Sequence, residues 1–109
     1  MSAINPAGWT ATGTATAAAA TATKAAPTGG NVTHIIYGVD WGFSIAPSAP
    51  VLLQIKDGST VIWSTYVLPG DKRVWGRGLK ITSGNAVSAV LASGGAGSVG
   101  LVNIDGVTV

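Results

Sequence analysis

The sequence predicts an all-β fold: a single jelly-roll-like β-sandwich of roughly seven to eight antiparallel strands with a short N-terminal arm. Three observations lead there. From Asn31 onward, runs rich in Val, Ile and aromatic residues are punctuated by Gly, Pro, Asn and Asp about every 8 to 12 residues. Within those runs large and small residues alternate with period two. No apolar stripe at helical spacing follows residue 30. A jelly roll is the first expectation and an immunoglobulin-like sandwich the second.

Two compositional zones divide the chain. Residues 1–30 are dominated by Ala and Thr, and Pro27-Thr28-Gly29-Gly30 marks the border. Within that zone, TGTATAAAATATK at residues 12–24 reads as strand, because β-branched Thr loses rotamer freedom in a helix and no large apolar stripe is present to pack one. Thr12, Thr14 and Thr16 are even, whereas Thr21 and Thr23 are odd. The pattern therefore changes face across Ala17 to Ala20, as one bent strand or two consecutive ones. Residues 1–11 are expected to form the arm and residues 12–109 the sandwich domain. Trp9, alone among small residues, is expected to anchor the arm on a partner.

THIIYGVDWGFSI carries the clearest alternation. Ile35, Tyr37, Val39, Trp41, Phe43 and Ile45 are predicted on one apolar face, with His34, Gly38, Asp40, Gly42 and Ser44 opposite. APSAP breaks the strand, since its prolines have no N–H for a ladder. VLLQIKDGSTVIWSTYVL then reads as a hairpin turned at Asp57-Gly58, with Trp41 and Trp63 on core faces or between subunits. After Pro69-Gly70-Asp71, KRVWGRGLKI is a strand interrupted by Gly76 and Gly78, which predicts a bulge or a close backbone approach. Ser83-Gly84-Asn85 turns into AVSAVLA, with Val87, Ala89 and Leu91 opposed to Ser88. A Gly-rich connection at residues 94–97 leads to SVGLVNIDGVTV, the last strand.

The chemistry-bearing residues are few. Cys is absent, which excludes disulfides, thiol catalysis and thiolate metal sites. The single histidine, His34, lacks the neighbours a triad or metal site requires, and is expected at a solvent or subunit-interface position. Asp57, Asp71 and Asp105 stand in turn contexts, and Asp40 is read as an edge or subunit contact. SGGAGSVG lacks the Lys-Ser/Thr ending of a phosphate loop and precedes a strand. No catalytic residue, cofactor or metal is therefore expected, and the chain is read as a non-enzyme. In DKRVWGRG, Arg73, Trp75 and Arg77 are candidates for partner contact, because Trp and Arg dominate binding hot spots; equally, Trp75 can cap the core end of the sandwich with solvated cations beside it.

Charged residues make up 9% of the chain, and the acids number four, all Asp. A surface covered by Thr, Ser, Gly and Ala favours association over solubility as a monomer. The basic residues near Lys72 to Lys80 are too few for a nucleic-acid stripe. No stretch reaches the ~20 apolar residues of a membrane span. No nucleic-acid or membrane partner is expected, and the N-terminus does not read as a signal peptide.

From VLLQIKDG through STYVLPGDKRVWGRGLKITSGNAVSAVLASGGAGSVGLVNIDG, preceded by YGVDWGFS and the Ala/Thr-rich region, the chain resembles small virion proteins of tailed bacteriophages. The shared pattern is Lys-Asp-Gly, a Trp-bearing strand, Leu-Pro-Gly-Asp, Gly-Asn-Ala-Val and a Gly/Ala-rich loop. VWGRGL departs from it. The resemblance implies a jelly-roll capsid decoration or cement protein, commonly a homotrimer, that binds the major capsid protein. Its place would be the capsid surface of the virion, with assembly in the host cytoplasm. His34 and Asp40 would then lie at subunit contacts, and Trp9, Arg73, Trp75 and Arg77 at partner contacts. The alternative is a receptor- or glycan-binding head of a phage fibre or spike, with Trp75 stacking on sugar rings.

Overall fold

The computed structural model describes residues 8–29 and 31–109, and eight strands account for most of them. They are β1 (Gly8–Thr16), β2 (Ala20–Lys24), β3 (His34–Phe43), β4 (Val51–Asp57), β5 (Thr60–Val67), β6 (Asp71–Lys80), β7 (Val87–Leu91) and β8 (Val99–Thr108). They form two four-stranded antiparallel sheets, ordered β1-β8-β3-β6 and β2-β7-β4-β5. First pairs with last, second with seventh, third with sixth and fourth with fifth. That order is a long hairpin rolled upon itself, the jelly-roll winding the strand spacing predicts.

The Thr/Ala stretch settles into two strands in different sheets. In β1, Thr10, Thr12, Thr14 and Thr16 are exposed, with Ala11, Gly13 and Ala15 half-buried between them. In β2, Ala20 and Ala22 are fully buried, and Thr21 and Thr23 are exposed. Ala17 makes the crossing with a positive φ of 54°, a left-handed conformation that non-glycine residues rarely adopt. Gly13 is where the two strands touch, since a Cβ there would overlap the Thr21 carbonyl. This closes one side of the sandwich. The strand also begins earlier than expected: Gly8 to Ala11, placed in the arm, belong to β1, and the rest of that arm lies outside the described residues.

The core is aliphatic and lies between the sheets. Ile36, Leu53, Ile55, Leu91, Val102 and Ile104 are fully buried, and each contributes about 1.5–3 kcal/mol relative to an exposed position. Burial alternates along β4, β7 and β8 as period two requires.

β3 departs from the predicted alternation. The pairing with β6 and with β8 shifts between Ile36 and Gly38, so Tyr37 sits in a bulge. Before the bulge the inward residues are His34 and Ile36. After it they are Val39, Trp41 and Phe43. Tyr37, expected inside, is exposed, and His34, expected outside, is buried. Simple alternation placed them on the wrong faces because the extra residue reverses parity.

Candidate functional site

The side of the sandwich opposite the β1–β2 contact is open. Its two borders are β5, the edge of one sheet, and β6, the edge of the other. The link Leu68-Pro69-Gly70 between them is held from below by Trp41, whose indole Nε1 donates to the Leu68 carbonyl at 2.7 Å. The two edges diverge around a cleft of about 500 Å³, lined by Trp63, Thr65 and Tyr66 of one sheet and by Trp41, Asp71, Lys72 and Arg73 of the other. That volume falls within the range of small-ligand sites.

Farther along, the edges are joined by aromatic contact. The Trp63 and Trp75 rings meet edge to face, with centroids 5.2 Å apart, and the Arg73 guanidinium lies over Trp75 at 5.9 Å. Both rings pack against the core and are half-buried. Trp75 is thus a strut between the sheets rather than an open stacking platform. Tyr66, 71% exposed, is the most exposed aromatic side chain of the described residues, and alternation alone did not single it out.

Arg77 belongs to the bulge that the glycines foretold. Val74 pairs with Gly38 and Leu79 with Ile36, so Trp75, Gly76, Arg77 and Gly78 all stand opposite Tyr37 alone. Gly78 has a φ of +80°, and a Cβ there would strike Ile35 Cγ2. Glycine is required at that point. The bulge leaves Arg77 exposed on the sheet edge.

The acidic residues are all hydrogen-bonded within the chain. Asp40 accepts from the Asn103 amide at 2.7 Å, while Asn103 Oδ1 accepts from the Thr12 hydroxyl. Asp105 accepts from Thr10, and Asp71 from the backbone N–H of Lys72. Asp57 ties the β4–β5 hairpin to the turn before β7: it accepts from the Thr82 N–H and hydroxyl and from the Asn85 amide. Burial pushes the Asp57 carboxyl up, but the Thr82 hydroxyl, the Asn85 amide and the Thr82 N–H outweigh it and hold the group below its ordinary 3.8.

Trp9 and His34 lie away from the cleft and meet each other. Trp9 Nε1 donates to Thr108 Oγ1 at 2.9 Å, and His34 Nδ1 lies 2.8 Å from the same oxygen. His34 Nε2 is 2.8 Å from the Ala25 carbonyl, which can only accept, so Nε2 carries the proton. In the neutral ring Nδ1 then accepts from Thr108. Lys24 Nζ caps the other partner at 5.5 Å from the Trp9 ring. These contacts correct two expectations. His34 is 1% exposed and so lies inside the chain rather than at a solvent position, and Trp9 lies in β1 with its indole bonded to Thr108 rather than standing alone in an arm. The bulge at Tyr37 turned His34 inward, and pairing with Gly106 drew Trp9 into the sheet.

The candidate partner residues are therefore dispersed. Arg73 and Trp75 flank the cleft region, Arg77 stands beyond it, and Trp9, His34 and Asp40 belong to other surfaces or to the interior. Among the described residues, no group of three or more His, Asp or Glu side chains is placed to hold a metal ion. No protein-family model matches the sequence, and no curated protein matches it.

Proposed function

We propose that this chain is a structural virion protein: a homotrimeric module that decorates a bacteriophage capsid and cements contacts between capsid subunits. The observation that carries the reading is the open side of the sandwich. There, β5 carries exposed Val61, Ile62 and Tyr66, β6 carries exposed Val74, and the link between them carries exposed Leu68. Strand edges with exposed apolar residues are surfaces that proteins normally cover. With charged residues at 9%, little on this surface opposes close packing of neighbours. The jelly-roll winding is also the architecture that the resemblance to phage virion proteins implies.

Native mass spectrometry of the purified chain tests the oligomer, and co-sedimentation with heads of the encoding phage tests the decoration. A trimer that pellets with heads and raises their thermal rupture temperature is expected. A stable monomer at micromolar concentration, or a trimer left in the supernatant, overturns the reading. Because β1 starts at Gly8, the arm is tested by deleting residues 1–7, which leaves the strand intact.

A further inference from the structure

Four strands lie at sheet edges, and three of them are protected. β1 and β2 face each other across the closed side, with Gly13 against Thr21. β6 carries Lys72, Arg73, Arg77 and Lys80, four of the six basic residues in the chain, and its wide bulge interrupts the ladder. Charge and bulges are the usual devices that keep an edge from pairing. β5 has no charge, no proline and no glycine. Its one irregularity is at Ile62, and Trp63 to Val67 is a regular run with alternate backbone N–H and C=O groups directed away from β4.

We propose that this run takes an extended acidic segment of another protein as an added strand. The free ladder of β5 supplies main-chain hydrogen bonds, and the adjoining cleft supplies selectivity. One row of incoming side chains would enter beside Trp63, and carboxylates would meet Lys72 and Arg73 on the facing wall, which also carries Trp41 and Asp71, the latter's carboxylate turned back onto the Lys72 N–H. A second copy of this chain is a poor occupant. It has four carboxylates, and each already accepts a hydrogen bond within its own fold. A nucleic acid would satisfy the cations but leave the β5 ladder unmatched, since it has no peptide backbone. The proposal deepens the decoration reading by naming the surface that meets the partner, and its test involves no capsid.

The test titrates a peptide of about eight residues alternating Asp and Val into isotopically labelled protein, followed by amide shifts and hydrogen exchange. We expect shifts and slowed exchange at Trp63 to Val67, with perturbed indole signals from Trp41 and Trp63. The double variant Lys72→Glu with Arg73→Glu, checked for an unchanged circular dichroism spectrum, should weaken binding by about tenfold or more. A version of the peptide N-methylated at alternate residues, which blocks the ladder and leaves the protein untouched, should not bind. The proposal is overturned if millimolar acidic peptide leaves Trp63 to Val67 unprotected. Equal binding of a Lys/Val peptide or of the N-methylated peptide overturns it as well. So does a single-stranded oligonucleotide that shifts Lys72 and Arg73 while the acidic peptide does not.

Discussion

The Trp9 indole and the His34 imidazole converge on one hydroxyl: Thr108 Oγ1 lies 2.9 Å from Trp9 Nε1 and 2.8 Å from His34 Nδ1. Their rings meet edge to face at 5.3 Å. Three strands, β1, β3 and β8, are thereby latched at one end of their sheet. Replacing Thr108 by Val keeps the shape and removes the shared partner. Leaving His34 Nδ1 buried and unpaired should cost about 1–3 kcal/mol. Chemical denaturation should show the loss, and thermal melting should fall by about 4–8 °C for each kcal/mol.

Gly78 and Gly76 share the β6 bulge but should respond differently to alanine. Gly78 has positive φ and abuts Ile35, so Gly78→Ala should destabilise by more than about 1 kcal/mol. At Gly76 a Cβ would meet no atom within 4 Å, so Gly76→Ala should stay within about 0.5 kcal/mol of the parent. Equal effects in urea titrations would show that the bulge does not have this geometry.

Acid should loosen the Asp57 clamp. Its carboxyl titrates lower in the folded chain than in the unfolded one, so the stabilisation is complete above the ordinary value of 3.8. It is lost as pH falls through the lower folded value. Urea midpoints measured from about pH 6 down to about pH 2 should therefore drop at the acid end. Asp57→Ala should lower the plateau and flatten the drop.

The small residues of β2 are a packing requirement. Ala22 is fully buried opposite Ala89, whereas Thr23 is exposed. Ala22→Leu should overpack the core and cost about 1–3 kcal/mol, while Thr23→Leu should change stability by less than about 0.5 kcal/mol. Matched thermal melts of the two variants check this. A larger cost for Thr23→Leu would reverse the assigned faces.

Much of this fold was legible because period-two alternation and turn residues act locally. The Asp57-Gly58 hairpin, the strand after Ser83-Gly84-Asn85 and the change of face within the alanine run all follow from neighbours in sequence. His34 was misplaced because its orientation depends on a bulge whose cause is distant. Four residues of β6, held by Gly78 against Ile35, stand opposite Tyr37 alone. The glycines announced a bulge in β6, but nothing near Tyr37 announced its counterpart in β3. The cleft was invisible for a similar reason, since its walls come from edges of two different sheets.

By itself, the sequence determined the strand periodicity, the turns, the absence of thiol chemistry and a surface poor in charge. It thereby determined an all-β sandwich. Only the tertiary structure decided which edges are covered, which way His34 and Trp9 face, and that β5 and the cations of β6 border one cleft. Alternation and turn propensity are properties of adjacent residues. Edge exposure and side-chain convergence depend on how two sheets close upon each other, and they become fixed only when distant strands meet.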